Sequence, residues 1–102
     1  NSSAASDVYK RQVLSPLSIY VEVSGGTAYR DTEELVSDTS LLLRDGSILP
    51  AVDLIFGFTG GGSHNTEDEY LSSADFTSQF QDLLDVSQVA AVQVGDIQIP
   101  LE

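Results

Sequence analysis

In residues 17–24, LSIYVEVS, the apolar Leu17, Ile19, Val21 and Val23 alternate with Ser18, Tyr20, Glu22 and Ser24. A period of two places one set on each side of an extended chain, so this segment is predicted to be a strand with one buried face. Such a strand has to find partners, because one or two strands cannot bury a face in water. Pro16 stands at its start, where a missing amide hydrogen is tolerated, and Gly25-Gly26 ends it.

The same signal recurs down the chain. Asp45-Gly46 separates two apolar runs, residues 41–44 and 47–51, and predicts a hairpin closed by a type I′ turn. Residues 52–58, VDLIFGF, extend the second arm or form the next strand. In residues 74–81, Ala74, Phe76, Ser78 and Phe80 alternate with Asp75, Thr77, Gln79 and Gln81. Phe76, Phe80, Leu83 and Leu84 also fall at helical spacing, but Thr, Phe and Ser suit a pleated surface better, and a strand to Gln81 is preferred. Val92 and Val94, then Gly95-Asp96, then Ile97, Ile99 and Leu101 predict a closing hairpin. Its last strand belongs at an edge, since Pro100 donates no hydrogen bond. Only residues 31–40 read differently, as an acidic loop with at most one helical turn over residues 32–36. Six or seven short strands with turn signals at this spacing predict an all-β fold, a small antiparallel β-sandwich of the immunoglobulin-like kind.

Residues 2–12, SSAASDVYKRQ, stand apart from this pattern. One permitted codon choice encodes them, in frame throughout, with a string that resembles a transposase-based sequencing adapter and its mosaic end. Residues 1–12 are therefore read as a non-native tail, expected to be disordered or loosely placed, and residues 13–102 as one β-sandwich domain cut from a longer protein. An upstream signal peptide or membrane helix would lie beyond that cut.

The formal net charge is −12, and residues 13–102 carry Arg30 and Arg44 but no lysine. Phosphate backbones and anionic headgroups need clustered cations, so nucleic acid is excluded as a partner. Acidity at this level suggests disorder when apolar content is low; here it is 41%, ample for a core. There is no cysteine, which excludes disulfides and thiolate metal sites and leaves the compartment open.

Chemical motifs are sparse. The one histidine, His64, sits in residues 59–69, TGGGSHNTEDE, read as a mobile glycine-rich surface loop; a Ser-His-Asp arrangement needs a rigidly held imidazole. Gly57 and Gly62 have phosphate-loop spacing, but Ser63-His64 follow where the motif requires Lys and then Ser or Thr. Glu67, Asp68 and Glu69 could add oxygen ligands to Ca²⁺, yet no EF-hand pattern surrounds them, and residues 63–69 read as a solvated loop. Paired carboxylates for glycoside hydrolysis lack a tryptophan platform. No catalytic, cofactor-binding or metal-ligating residue is assigned, and no enzyme activity is expected.

In order, LSPLSIYVEV, LLLRDGSI and DLLDVSQVAAVQVGDIQIPLE resemble the C-terminal extracytoplasmic β-domain of uncharacterised Firmicute membrane proteins of the anti-sigma-factor-like kind. The closing pattern falls on Asp85, Val86, Val89, Val92, Val94, Ile99, Pro100 and Leu101. The resemblance implies a bacterial envelope protein with a missing membrane anchor, this domain lying on the outer face of the membrane. It supplies no catalytic residues. The expected role is a non-enzymatic contact with protein or envelope, through a sheet edge by strand addition. The alternative is a secreted adhesion or carbohydrate-binding sandwich, with Tyr20, Tyr29 and Tyr70 as ligand platforms.

Overall fold

The computed structural model describes residues 9–64 and 67–101. Eight strands occur among them: β1 (Tyr9–Leu14), β2 (Ser18–Ser24), β3 (Thr39–Leu43), β4 (Ile48–Pro50), β5 (Ile55–Ser63), β6 (Ser73–Phe80), β7 (Val89–Val94) and β8 (Ile97–Pro100). One short helix, α1 (Thr32–Ser37), precedes β3, and 3₁₀ turns occupy Ala51–Asp53 and Val86–Gln88. The strands form two antiparallel four-stranded sheets, ordered β1-β2-β6-β5 and β4-β3-β7-β8. Lettered in chain order A, B, C, C′, D, E, F and G, these are the ABED and C′CFG sheets of an immunoglobulin-like sandwich. The shortest dimension, 18 Å, fits two sheets about 10 Å apart.

Alternation explains the core. Ile19, Val21 and Val23 of β2 and Ala74, Phe76 and Phe80 of β6 face Leu41 of β3, Val92 and Val94 of β7 and Ile99 of β8 in one buried cluster. Each fully buried side chain of this size contributes about 1.5–3 kcal/mol. Leu17 breaks the expected pattern: it lies before β2 and is exposed, because the chain there is turning through Ser15 and Pro16. Ile97, next to the Gly95-Asp96 turn, is likewise exposed.

Four further expectations are corrected. Residues 2–8 of the proposed tail lie outside the described residues, but Tyr9, Lys10, Arg11 and Gln12 are not loosely placed. They pair with Ser24, Val23, Glu22 and Val21 of β2, and the buried Gln12 donates from Nε2 to the Pro100 carbonyl at 3.1 Å. The backbone of a strand accepts any side chain that suits its two faces, and β2 offers an edge to be covered. Gln12 Oε1 is buried and has no hydrogen-bond partner among the described residues.

The β3–β4 turn is not type I′. Only Gly46 has positive φ (93°), while Gly46 N–H donates to the Leu43 carbonyl and Leu43 N–H to that of Ser47. That is a three-residue loop with Gly46 in the left-handed position, and Asp45 Oδ1 braces it by accepting from Ser47 N–H. At Gly95-Asp96 the positive φ (62°) falls on the first central residue, as a type II′ turn requires.

The glycine run is not a loop. Gly60, Gly61 and Gly62 lie within β5, opposite Phe76, Asp75 and Ala74. A Cβ at Gly60 would strike the Asp75 carbonyl and approach Thr32 Cγ2 at 2.7 Å, and one at Gly62 would lie 2.7 Å from the Ser73 carbonyl. Glycine is there because α1 and the chain before β6 pack directly onto this strand.

Helix α1 is also more than a loop turn. Asp31 caps it by accepting from Glu34 N–H at 3.0 Å, and Glu34 Oε1 reaches back to Arg30 N–H at 2.8 Å. Its Leu35 and Val36 enter the core, and buried Thr39 Oγ donates to the Leu35 carbonyl at 2.7 Å. A six-residue helix would not persist in water on propensity alone; burial of those two side chains holds it.

Candidate contact surface

The residues singled out from sequence do not converge. His64 is exposed just beyond β5. Asp68 accepts from Tyr70 N–H within its own loop, and Glu69 pairs with Arg30 Nε at 2.9 Å, tying that loop to the segment before α1. Among the described residues no group of three or more His, Cys, Asp or Glu is arranged to hold a metal ion.

The three tyrosines occupy separate settings. Tyr20 projects from the outer face of β2, where the Arg11 guanidinium lies 5.6 Å from its ring centroid and also pairs with Glu22. Partial burial, reinforced by Glu22 and Asp75, raises its pKa. Tyr70 carries Arg30 over its ring at 5.7 Å. The tyrosine's hydrogen bond and the Glu69 charge hold that guanidinium above its ordinary range. Tyr29 closes one end of the sandwich. Its hydroxyl donates to Asp38 Oδ2 at 2.6 Å, beside Gly95, where an added Cβ would come within 3.0 Å of the same oxygen. Burial first, then Asp38, pushes the Tyr29 phenol well above the usual tyrosine range.

A departure from regular strand pairing lies in β5, at the sheet edge. Phe56 opposes Gln79 and Thr59 opposes Thr77, so Gly57 and Phe58 together stand opposite Ser78. This is a β-bulge, with Gly57 at positive φ (41°). Ser78 is the polar residue on the buried face of β6, and its hydroxyl supports the bulge by hydrogen bonding to the carbonyls of Phe56 and Gly57. The extra residue turns Phe58 edge-on to the buried Phe76 ring, with centroids 6.3 Å apart and planes at 73°. Phe58 nonetheless remains 40% exposed, Phe56 65% and Val52 48%. A groove of about 180 Å³ runs between α1 and this half of β5, lined by Glu33, Val36, Val52, Ile55 and Phe58.

The other half of β5 differs. Gly61 N–H donates to Asp75 Oδ1 at 3.1 Å, and the Gly61 carbonyl accepts from Thr32 Oγ at 3.1 Å. Both backbone groups at that point are therefore occupied, and strand addition there would have to displace two side chains.

Sequence reasoning missed this corner. Its signals were the glycine interrupting the apolar run Ile55-Phe56-Gly57-Phe58 and the serine on the inward face of β6; together they mark a bulge with a hydroxyl prop.

The fold and this surface define the class: an eight-stranded immunoglobulin-like sandwich with an apolar groove beside its D strand. No family model, curated protein or solved structure matches the chain.

Proposed function

We propose that this chain is a non-enzymatic, extracytoplasmic contact module of a bacterial membrane-anchored regulatory protein of the anti-sigma-factor-like kind. The observation that carries the contact role is the pair of exposed apolar side chains, Val52 and Phe58, that flank the groove beside α1. A phenylalanine and a valine left partly in water around one apolar groove mark an interaction site more than a solvated surface. The strand pattern and the resemblance of residues 13–102 to the outer β-domains of such proteins support the anchored, outer-face setting. The occupied Gly61 backbone shifts the contact from strand pairing toward side-chain docking at the bulged half of β5.

The untruncated reading frame from the same genome tests the anchored reading. A single membrane helix upstream of residue 13, with a cytoplasmic segment before it, is the expected result. A frame with no membrane-spanning segment upstream would overturn it.

A further inference from the structure

Resting on the contact-module reading, we propose that the groove between α1 and the bulged half of β5 seats one apolar side chain of a cationic protein segment. The shape argument comes first. Val36 and Ile55, both buried, form its floor, while the exposed Val52 and Phe58 stand as walls. Its volume of about 180 Å³ suits a single branched or aromatic side chain, since an apolar cavity of about 150 Å³ accepts benzene.

The charge argument chooses the occupant. Glu33 lines the groove, and no basic residue does. Lys10 and Arg11 lie on β1, at the opposite edge of that sheet, and Arg30 is paired with Glu69. A second copy would bring another formal charge of −12 and the same carboxylates to the contact. An anionic bilayer meets the same repulsion. A segment with lysine or arginine flanking an exposed Phe, Leu or Ile satisfies the apolar seat, the Glu33 carboxylate beside it and the acidic chain around it.

The test uses the full chain and a defined probe, a short peptide with a central phenylalanine flanked on each side by two lysines. Titration followed by amide chemical shifts should move the signals of Val36, Val52, Ile55 and Phe58. Val52→Ser should weaken the complex about tenfold, the loss expected when one apolar wall is removed. The domain's amide spectrum should otherwise keep its dispersion. Glu33→Gln, at an exposed position, should reduce the dependence of affinity on salt. Any of four results would overturn the proposal: no shift at millimolar peptide, equal binding of a peptide with glutamates in place of the lysines, shifts mapping to another surface, or self-association abolished by Val52→Ser. Preferential binding to phosphatidylglycerol vesicles over the peptide would do the same. None of these outcomes bears on the upstream reading frame, so the anchored reading and the groove stand or fall separately.

Discussion

At the scale of single residues, the three consecutive glycines of β5 are not equivalent. Gly60 and Gly62 lie against backbone and neighbouring side chains, whereas a Cβ at Gly61 would meet nothing within 4 Å. Gly60→Ala should therefore destabilise the domain by about 1–3 kcal/mol, the range for overpacking. Gly61→Ala should be neutral or stabilising by up to about 1 kcal/mol, since alanine costs less conformational entropy in a strand. Urea denaturation of the two variants checks this; equal losses would mean that β5 does not lie under α1. Tyr29 makes a second residue-scale prediction. Its phenol is held protonated in the folded state, so the stability it contributes is present below its ordinary value of about 10 and lost as pH rises through the higher folded value. Thermal melts should show alkaline destabilisation that is smaller in Tyr29→Phe; an unchanged alkaline slope would remove Tyr29 as its source.

At the scale of elements, the bulge and its prop form one unit. Ser78→Ala leaves the carbonyls of Phe56 and Gly57 without the hydroxyl that serves them. A cost of about 0.5–1.5 kcal/mol, the net worth of a hydrogen bond, is expected, measurable by denaturation. The amide signals of Phe56, Gly57 and Phe58 should move more than those of β7, which lies in the other sheet. The strands themselves were legible because alternation is a property of the chain: β2, β6 and the β7–β8 hairpin sit where the apolar residues demand. Turn geometry was only half legible. Asp45-Gly46 announced a hairpin, but whether one or two residues take positive φ depends on the register of the flanking strands, which no dipeptide encodes. Residues 60–62 resemble a loop in sequence because glycine has no strand preference of its own; pairing with β6 and crowding by α1 override that.

At the scale of the whole molecule, β1 tests where the domain begins. A truncation that removes residues 1–8 keeps all of β1 and serves as the reference. Deleting residues 1–12 removes four of its six residues and the Gln12 bond to Pro100, and bares the edge of β2. A drop of about 4–8 °C is expected for each kcal/mol lost in a domain of this size. Identical melting of the two truncations would show that the strand pairing of Tyr9, Lys10, Arg11 and Gln12 adds nothing to stability, as a foreign tail would behave.

By itself the sequence determined the two-faced strands, the sites of both tight hairpins, the acidic surface and hence the all-β sandwich, because each rests on local periodicity or composition. It could not determine the candidate contact surface. The bulge at Gly57 and Phe58 exists only against Ser78, and the groove only where α1 meets β5. Both depend on residues more than 15 positions apart in the chain, the first joined by strand pairing within one sheet and the second by α1 folding back onto the edge of that sheet, so neither is written in local periodicity.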